Sequence, residues 1–189
     1  IKVGHAGTLD PLATGLLIIC TGKQTKEIDI YQGQIKEYTG TITLGATTPS
    51  YDLETEIDKA FSIEHISEEL LKETTKQFIG EIQQKPPIFS AIKKDGKRLY
   101  ELARKGETTE IKARTVTVSE FEITNINLPK VDFKVICSKG TYIRSLAFDF
   151  GIALNSGAHL SALRRTKIGE FSVDKGLSVE EFIENLKVD

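Results

Sequence analysis

Residues 4–15, GHAGTLDPLATG, contain the most distinctive candidate chemistry in this chain. Three glycines and one proline in twelve residues predict a loop that follows a fixed path. Pro11 restricts Asp10 to extended backbone angles, because its ring clashes with a helical conformation at the preceding residue. A carboxylate held in this way could act as a nucleophile, a general base or an ion ligand. Because Asp-Pro is also common in turns, the alternative is that Asp10 only caps the following element.

The histidines and cysteines predict neither a metal site nor a disulfide. His5, His65 and His159 have no ligand spacing between them. Cys20 and Cys137 lie far apart, without a CxxC motif or a neighbouring histidine. We therefore interpret both cysteines as buried, reduced thiols of a cytoplasmic protein.

The composition predicts one ordinary globular domain. The chain has 189 residues, of which 39% are hydrophobic and 28% are charged, which excludes a disordered or collagen-like chain. No apolar run approaches the roughly 20 residues that a membrane span needs, so we predict no membrane partner. The chain contains no methionine, even at its first position. We therefore expect a fragment that lacks its N-terminal elements.

Positive charge is concentrated in two parts of the chain, residues 85–114 and the cluster Lys139, Arg144, Arg164, Arg165 and Lys167, although the formal net charge is only −2. Residues 85–114 contain nine lysines and arginines and four acids, together with Phe89 and Tyr100. Such clusters could form a phosphate-binding surface for RNA or DNA. The alternative is that these cations simply coat a solvated face.

The order of predicted elements favours an α+β fold. We predict strands at 16–20 and 37–47, and a hairpin formed by 116–126 and 131–137. Helical patterns occupy 67–82, 97–105 and 141–154, and a capping-box spacing at Ser178 predicts a last short helix. Strands and helices alternate without a regular βαβ pattern, which disfavours a doubly wound sheet.

Residues 4–15 resemble the signature of the TruB family of pseudouridine synthases, the stand-alone enzymes that act on the TΨC loop of tRNA. Further stretches agree with the family in order, and they are 36–38 with 44–48, 86–93, 96–100 with 103–104, 137–146 and 160–165. The resemblance spans nearly the whole chain. It implies a mixed, mostly antiparallel central sheet flanked by helices. It also implies that residues 1–189 are a catalytic domain without its N-terminal elements and without the family's C-terminal RNA-binding domain.

The resemblance assigns roles to three residues in the isomerisation of uridine to pseudouridine. This reaction transfers no electrons and no phosphate, so it implies no cofactor and no metal. Asp10 matches the family's nucleophilic aspartate, and Arg144 matches the arginine that pairs with it and favours its ionised form. Tyr38 matches the tyrosine that stacks on the target base and transfers a proton at C5.

The resemblance places four further residues at the substrate. Ile143 and Leu163 would be apolar walls of the uracil pocket, although core packing explains both equally well. Tyr142 lies in the same stretch as Ile143 and is expected to contact the substrate. His5 corresponds to the histidine that enters the space left by the flipped nucleotide, and the alternative is a structural role in its loop.

The basic segment 85–114 is then expected to be a flap that grips the T arm of tRNA. Its candidate phosphate ligands are Lys93, Lys94, Lys97, Arg98 and Arg104. We expect a cytoplasmic monomer that modifies position 55 by flipping the target base. Two alternatives stay open, a tRNA-binding or folding module with incidental catalysis and a guide-RNA-dependent synthase that needs partner proteins. Residues 86–106 resemble the stand-alone enzymes more closely, which disfavours the second alternative.

Overall fold

The structure, a computed structural model, describes residues 1–90, 92–94, 97–104 and 111–186, with the backbone alone at Lys93, Lys94, Lys97, Arg98, Leu102 and Arg104. Within these residues the strands are β1 (Val3–His5), β2 (Thr14–Gly15), β3 (Ile19–Thr21), β4 (Lys36–Leu44), β5 (Ala46–Thr47), β6 (Lys59–Ala60), β7 (Gly80–Gln84), β8 (Lys93–Lys94), β9 (Lys97–Arg98), β10 (Arg114–Asn127), β11 (Lys130–Cys137), β12 (Ala158–Ile168) and β13 (Phe171–Ser172). The α-helices are α1 (Ile28–Gly33), α2 (Glu68–Thr75), α3 (Leu99–Arg104), α4 (Ile143–Ala153) and α5 (Val179–Asn185).

A central sheet organises the fold, with the strand order β13-β12-β4-β11-β10-β7. Every neighbouring pair in this order is antiparallel, whereas β2 joins β12 in parallel. The predicted α+β class with a mixed, mostly antiparallel sheet is confirmed. None of the described helices is long and apolar enough to cross a bilayer.

The helices α2 and α4 cover one face of this sheet and form the core with it. Ile42 of β4 and Phe133 of β11 are each 1% exposed, and Leu71 of α2 is fully buried. The rings of Phe121 in β10 and Phe150 in α4 lie 5.3 Å apart, which joins the sheet to the helix layer. Alternate residues of a strand share a face, so Tyr38 lies on the same side of β4 as Ile42. The core therefore places Tyr38 and α4 on one side of the sheet.

The opposite face of β4 is polar. Thr39, Thr41 and Thr43 alternate with the buried positions, and each is partly exposed. The Thr41 hydroxyl donates to a carboxylate oxygen of Asp132 at 2.6 Å, and the Thr43 hydroxyl donates to the Ser161 hydroxyl at 2.8 Å. The sheet is therefore amphipathic, as expected when helices cover only one of its faces.

The second half of the predicted helix 67–82 is wrong. Ser67 caps α2 as predicted, since its hydroxyl accepts the Leu70 N–H at 3.1 Å, but the helix ends at Thr75. A 3-10 turn, Lys76–Phe78, follows, and Gly80 then adopts a φ of 101° at the start of β7. Ile82 pairs with Val116 of β10. Strand pairing therefore overrides the helical spacing of the apolar residues.

Other predicted elements are confirmed with shifted ends. The hairpin of 116–126 and 131–137 is β10–β11, and the helix predicted for 141–154 is α4. The predicted strand at 16–20 is shorter and later, because only β3 pairs with β1 in an antiparallel ribbon. The pattern at 97–105 begins as β9 and becomes helical only at Leu99. The capping box at Ser178 is present at the start of α5.

Candidate active site

A tight turn presents Asp10 between β1 and β2. The Ala13 N–H donates to the Asp10 carbonyl oxygen at 2.9 Å, which closes a β-turn with Pro11 at its second position. The Asp10 side chain is 33% exposed. The turn therefore fixes the backbone of Asp10 and leaves its carboxylate accessible from solvent.

Arg144 of α4 binds this carboxylate with two hydrogen bonds. Its Nε donates to Oδ2 at 3.0 Å, and its Nη2 donates to Oδ1 at 2.8 Å. The two residues are 134 positions apart in the sequence, and only the fold brings them together. The Arg144 side chain is 3% exposed, so a buried cation is paired with a partly exposed anion. Two parallel bonds of this kind fix the plane of a carboxylate as well as its position.

The loop between β5 and β6 supports Arg144 from the other side. The Ser50 carbonyl oxygen accepts from Nη1 at 3.2 Å, and Oδ2 of Asp52 lies 3.6 Å from Nε. The Asp52 side chain is 6% exposed. Arg144 is the second residue of α4, where the helix dipole disfavours a cation, so the two carboxylates offset that cost. Neither Ser50 nor Asp52 belongs to a local motif, so both contacts were missing from the residues predicted from the sequence.

An unusual backbone conformation at Tyr51 separates these two contacts. Tyr51 has a φ of 64°, in the left-handed region that non-glycine residues rarely adopt. Its ring stacks on Phe148 of α4 with centroids 4.0 Å apart. The Thr48 hydroxyl donates to the Asp52 carbonyl oxygen at 2.6 Å, which closes the loop. The turn at Tyr51 thus lets the Ser50 carbonyl and the Asp52 carboxylate both reach Arg144.

Strand β12 anchors the segment that contains Asp10. Thr14 and Gly15 pair with Arg164 and Arg165, and the Leu16 N–H donates to the Arg165 carbonyl oxygen at 2.8 Å. Gly15 has a φ of 103°, and a Cβ there would lie 2.3 Å from the same carbonyl oxygen. Glycine is therefore required at residue 15 for the backbones to approach this closely.

The Arg165 side chain also holds this segment. Its Nε donates to the Leu16 carbonyl oxygen at 2.8 Å, and its Nη2 donates to the Gly7 carbonyl oxygen at 3.0 Å. Arg165 is 2% exposed. The prediction that Arg144 and Arg165 belong to an exposed phosphate-binding cluster is wrong, because both guanidinium groups are buried on backbone and carboxylate acceptors.

Tyr38 lies near both Asp10 and Arg165. It is the cross-strand partner of Arg165 in the β4–β12 pair, so the two side chains share a face of the sheet. Burial raises the pKa of the Tyr38 phenol, the Arg165 cation opposes that shift, and the Asp10 charge adds to it. Asp10 and Arg144 are in direct contact, whereas the structure links Tyr38 to Asp10 only through the effect of that charge on the Tyr38 pKa.

Tyr142 and Ile143 begin α4 beside Arg144. Gln84 of β7 accepts the Tyr142 N–H at 2.8 Å and donates to the Tyr142 carbonyl oxygen at 3.0 Å. Burial raises the pKa of the Tyr142 phenol, and the Asp10 charge adds to that shift. Ile143 is 4% exposed and belongs to the core, and Leu163 packs against the same core. Core packing thus accounts for both aliphatic residues, whatever their role at a substrate.

His5 lies on the exposed ribbon of β1 and β3, opposite Ile19. The Asp10 loop follows it directly in the chain, and the structure gives no hydrogen bond or ion pair for its ring among the described residues. Its predicted role in RNA binding stays a prediction.

The backbone of the basic segment forms a small hairpin followed by a helix. Lys93 pairs with Arg98, and Lys94 pairs with Lys97, before α3 begins. Leu99, which is 1% exposed, anchors this unit. The side chains of the predicted phosphate ligands Lys93, Lys94, Lys97, Arg98 and Arg104 lie outside the described part of the structure.

Neither cysteine belongs to the site. Cys20 and Cys137 are buried free thiols, and burial raises the pKa of Cys137 to about 11. Cys137 is thus a protonated thiol near neutral pH. Among the described residues, no group of three or more His, Cys, Asp or Glu side chains is placed to hold a metal ion.

Two family models match this chain. Residues 1–143 match the family model described as TruB family pseudouridylate synthase (N terminal domain). Residues 144–188 match the model described as tRNA pseudouridylate synthase B C-terminal domain. The boundary between the two matches falls within α4, at Arg144.

Similar proteins carry the name tRNA pseudouridine synthase B. A relative from Flavobacterium johnsoniae is 68% identical over 186 residues, which are 98% of this chain and 81% of the relative. One from Phocaeicola vulgatus is 60% identical over 97% of this chain and 78% of the relative.

Two solved structures share the fold. A chain in the crystal structure of a Cbf5-Nop10-Gar1 complex has a TM-score of 0.72 and 29% identity. A chain in an H/ACA RNP bound to a substrate RNA containing 2'-deoxyuridine has a TM-score of 0.69 and 28% identity. The matches cover 97% and 100% of this chain but only 46% and 48% of those chains, so this chain spans less than half of their length.

The shared fold and the arginine-bound aspartate on its turn define the class of protein, a pseudouridine synthase. The two family matches together cover nearly the whole sequence. The chain belongs to the TruB family of pseudouridylate synthases, and the predicted family and enzyme class are confirmed.

Proposed function

We propose that this chain isomerises uridine to pseudouridine at position 55, in the TΨC loop of tRNA, with Asp10 as the reacting carboxylate. The observation that carries the proposal is the bidentate ion pair between the partly exposed Asp10 and the buried Arg144. Relatives that are 60% to 68% identical and are named tRNA pseudouridine synthase B support tRNA as the substrate.

The chemistry requires an ionised carboxylate at a fixed position. The bond between N1 and C1′ of uridine breaks, the uracil rotates, and a bond forms between C5 and C1′. The proton lost from C5 is balanced by one gained at N1, so substrate and product are isomers. Asp10 can either attack C1′ or remove a proton from C2′, and both routes start from the anion. Arg144 stabilises that anion and orients its oxygens.

Neighbouring side chains form the remaining parts of the proposed site. Tyr38 stacks on the uracil beside C5. Its raised pKa keeps the phenol neutral near neutral pH, so its hydroxyl accepts the C5 proton only as it passes its own proton on, and the balance is restored by protonation of N1. Tyr142 contacts the substrate, and the side chains of Ile143 and Leu163 form apolar walls of the pocket. His5 enters the space that the flipped nucleotide leaves.

The substrate must be extruded from the folded T loop before it reaches Asp10. Base flipping costs a few kcal/mol, and contacts to the RNA supply it. In this proposal residues 85–114 form a flap on the T arm, and its phosphate ligands are the five predicted cations. Residues 1–189 act as one catalytic domain, as a monomer in the cytoplasm.

Replacement of Asp10 tests the proposed function. The substrate is a T-arm RNA with tritium at C5 of uridine, and tritium release measures the isomerisation. We expect Asp10→Asn to reduce release to the background level, because a neutral amide is neither a nucleophile nor a base here. Asp29→Asn is the matched control, since Asp29 is an exposed residue in the first turn of α1.

Three outcomes would change the assignment. Undiminished release by Asp10→Asn would refute Asp10 as the reacting group. A requirement for added proteins or a guide RNA would favour a guide-dependent synthase, and the solved neighbour in a Cbf5-Nop10-Gar1 complex makes this worth testing. The third outcome concerns the biological effect of the protein on its tRNA. If that effect is kept by Asp10→Asn but lost on charge reversal at Lys93, Lys94 and Arg98, a tRNA-folding module is favoured.

A further inference from the structure

Arg165 contacts the segment around Asp10 at two points on opposite sides of the turn. Gly7 precedes Asp10 by three residues and Leu16 follows it by six, and one guanidinium donates to both of their carbonyl oxygens. The backbone of Arg165 accepts from the Leu16 N–H as well. The two ends of the turn are thus tied to one residue of β12.

The same guanidinium lies beside Tyr38. The cross-strand pairing of Tyr38 with Arg165 places both side chains on the covered face of the sheet. The Arg165 cation is close enough to lower the pKa of the Tyr38 phenol against the effect of burial. Arg165 therefore contacts the loop of one proposed catalytic group and neighbours another.

Core packing alone does not explain an arginine here. Arg165 is 2% exposed, and none of the ion pairs among the described residues includes it. A buried cation without a paired carboxylate costs free energy that an aliphatic side chain of similar volume avoids. An aliphatic side chain cannot supply the two N–H donors that bind the Gly7 and Leu16 carbonyls. A lysine would supply one point charge in place of the planar fork of donors.

We propose that Arg165 is a positioning residue that fixes the Asp10 loop and Tyr38 at the separation the reaction needs. The inference rests on the proposed function. Asp10 promotes cleavage of the bond between base and sugar, and Tyr38 takes part in proton transfer at C5 after the base has rotated. Both side chains must therefore stay in fixed positions during the reaction. One rigid guanidinium that spans the loop and adjoins Tyr38 provides that fixed geometry.

The first measurement compares rates of isomerisation under saturating enzyme. Arg165→Met removes the donors and the charge, and Arg165→Lys removes only the fork. The control is Lys72→Met, which replaces an exposed cation on helix α2. We expect Arg165→Met to lower the rate by about 10²-fold, the cost of a misplacement of about 1 Å. We expect the rate of Arg165→Lys to lie between the rates of Arg165→Met and the unchanged chain, and Lys72→Met to keep the rate of the unchanged chain.

The second measurement needs no activity and excludes a purely structural effect. The ionisation of Tyr38 is followed by ultraviolet absorbance, with the titration of Tyr38→Phe subtracted in each background. We expect the pKa of Tyr38 to rise further in Arg165→Met, because the cation that opposes burial is gone. Arg165→Lys, which keeps the charge, holds the pKa of Tyr38 closer to that of the unchanged chain.

Two results would overturn the inference. One is a folded Arg165→Met variant whose rate equals that of Lys72→Met, and the other is an unchanged titration of Tyr38. If Arg165→Met does not fold, the rate of Arg165→Lys is the deciding measurement. An unchanged rate in Arg165→Lys would then reject Arg165 as a positioning residue. Failure of the proposed function is separate, because the unchanged chain itself would then release no tritium.

Discussion

At the scale of single residues, burial differs sharply across the Asp10–Arg144 pair. The arginine is 3% exposed and is held by three acceptor groups, whereas the aspartate is 33% exposed. Folding therefore supplies the free energy needed to desolvate the Arg144 cation before any substrate binds. The anion keeps access to a ligand and has its orientation fixed by two hydrogen bonds.

This geometry makes Arg144→Lys a severe change although it conserves charge. A lysine cannot donate two parallel bonds to one carboxylate and also bond the Ser50 carbonyl. We expect the single-turnover rate to fall by about 10²-fold, with little change in RNA affinity. Rate and affinity are measured separately, with Arg164→Lys as the control. An equal loss in both quantities would show that Arg144 binds RNA rather than orienting Asp10.

At the scale of elements, the two residues of β2, which pair in parallel with β12, determine where the Asp10 turn lies. Gly15 permits this contact, since its φ is 103° and its position leaves no room for a Cβ beside Arg165. The turn and the sheet thus act as one rigid unit, although the loop itself contains little regular structure.

Gly15→Ala tests this contact. We expect the free energy of unfolding to fall by about 1–3 kcal/mol through backbone strain, and the rate of isomerisation to fall with it. Urea denaturation measures the first effect and tritium release the second. Gly33→Ala is the control, because a Cβ at the end of α1 meets nothing within 4 Å. Equal stability of the two variants would show that β2 and β12 can separate without cost.

The sequence predicted an element well where one local pattern, a β-branched run or an apolar helix face, was clear. The β-branched runs of β10 and β11 and the apolar face of α4 gave nearly correct bounds, since local pattern and tertiary packing agree there. Residues 76–82 were predicted wrongly because pairing with β10 outweighs helical periodicity. Asp10 and Arg144 were joined only through the family resemblance, since no local spacing links residues 134 apart. Asp52 gave no signal, because its role depends on a turn at Tyr51.

At the scale of the whole molecule, the formal net charge of −2 conceals the basic segment 85–114. An RNA ligand senses local potential rather than the total charge. Residues 85–114 follow β7, whose last residue, Gln84, bonds the backbone at the start of α4. The proposed flap and the proposed catalytic residues are therefore connected through one strand.

We expect RNA affinity to fall steeply with salt. The logarithm of the binding constant should decrease by about 0.7 to 0.9 per neutralised phosphate for each unit of log salt concentration. Replacing Lys93, Lys94 and Lys97 with glutamine should flatten that slope. Lys72→Gln, on the exposed face of α2, should leave it unchanged. A flat profile in the unchanged chain between low and moderate salt would contradict the assignment of the flap.

The long separation of Asp10 from its arginine also has a consequence for biosynthesis. A growing polypeptide contains the complete signature loop long before it contains α4 or β12, because the ribosome makes residue 10 first and residue 165 much later. Until those later segments dock, the aspartate has neither its counter-ion nor its anchoring strand. Under the proposed function, a nascent chain therefore carries the recognisable motif before its reacting carboxylate is paired, and activity requires that residue 10 has met residues 144 and 165.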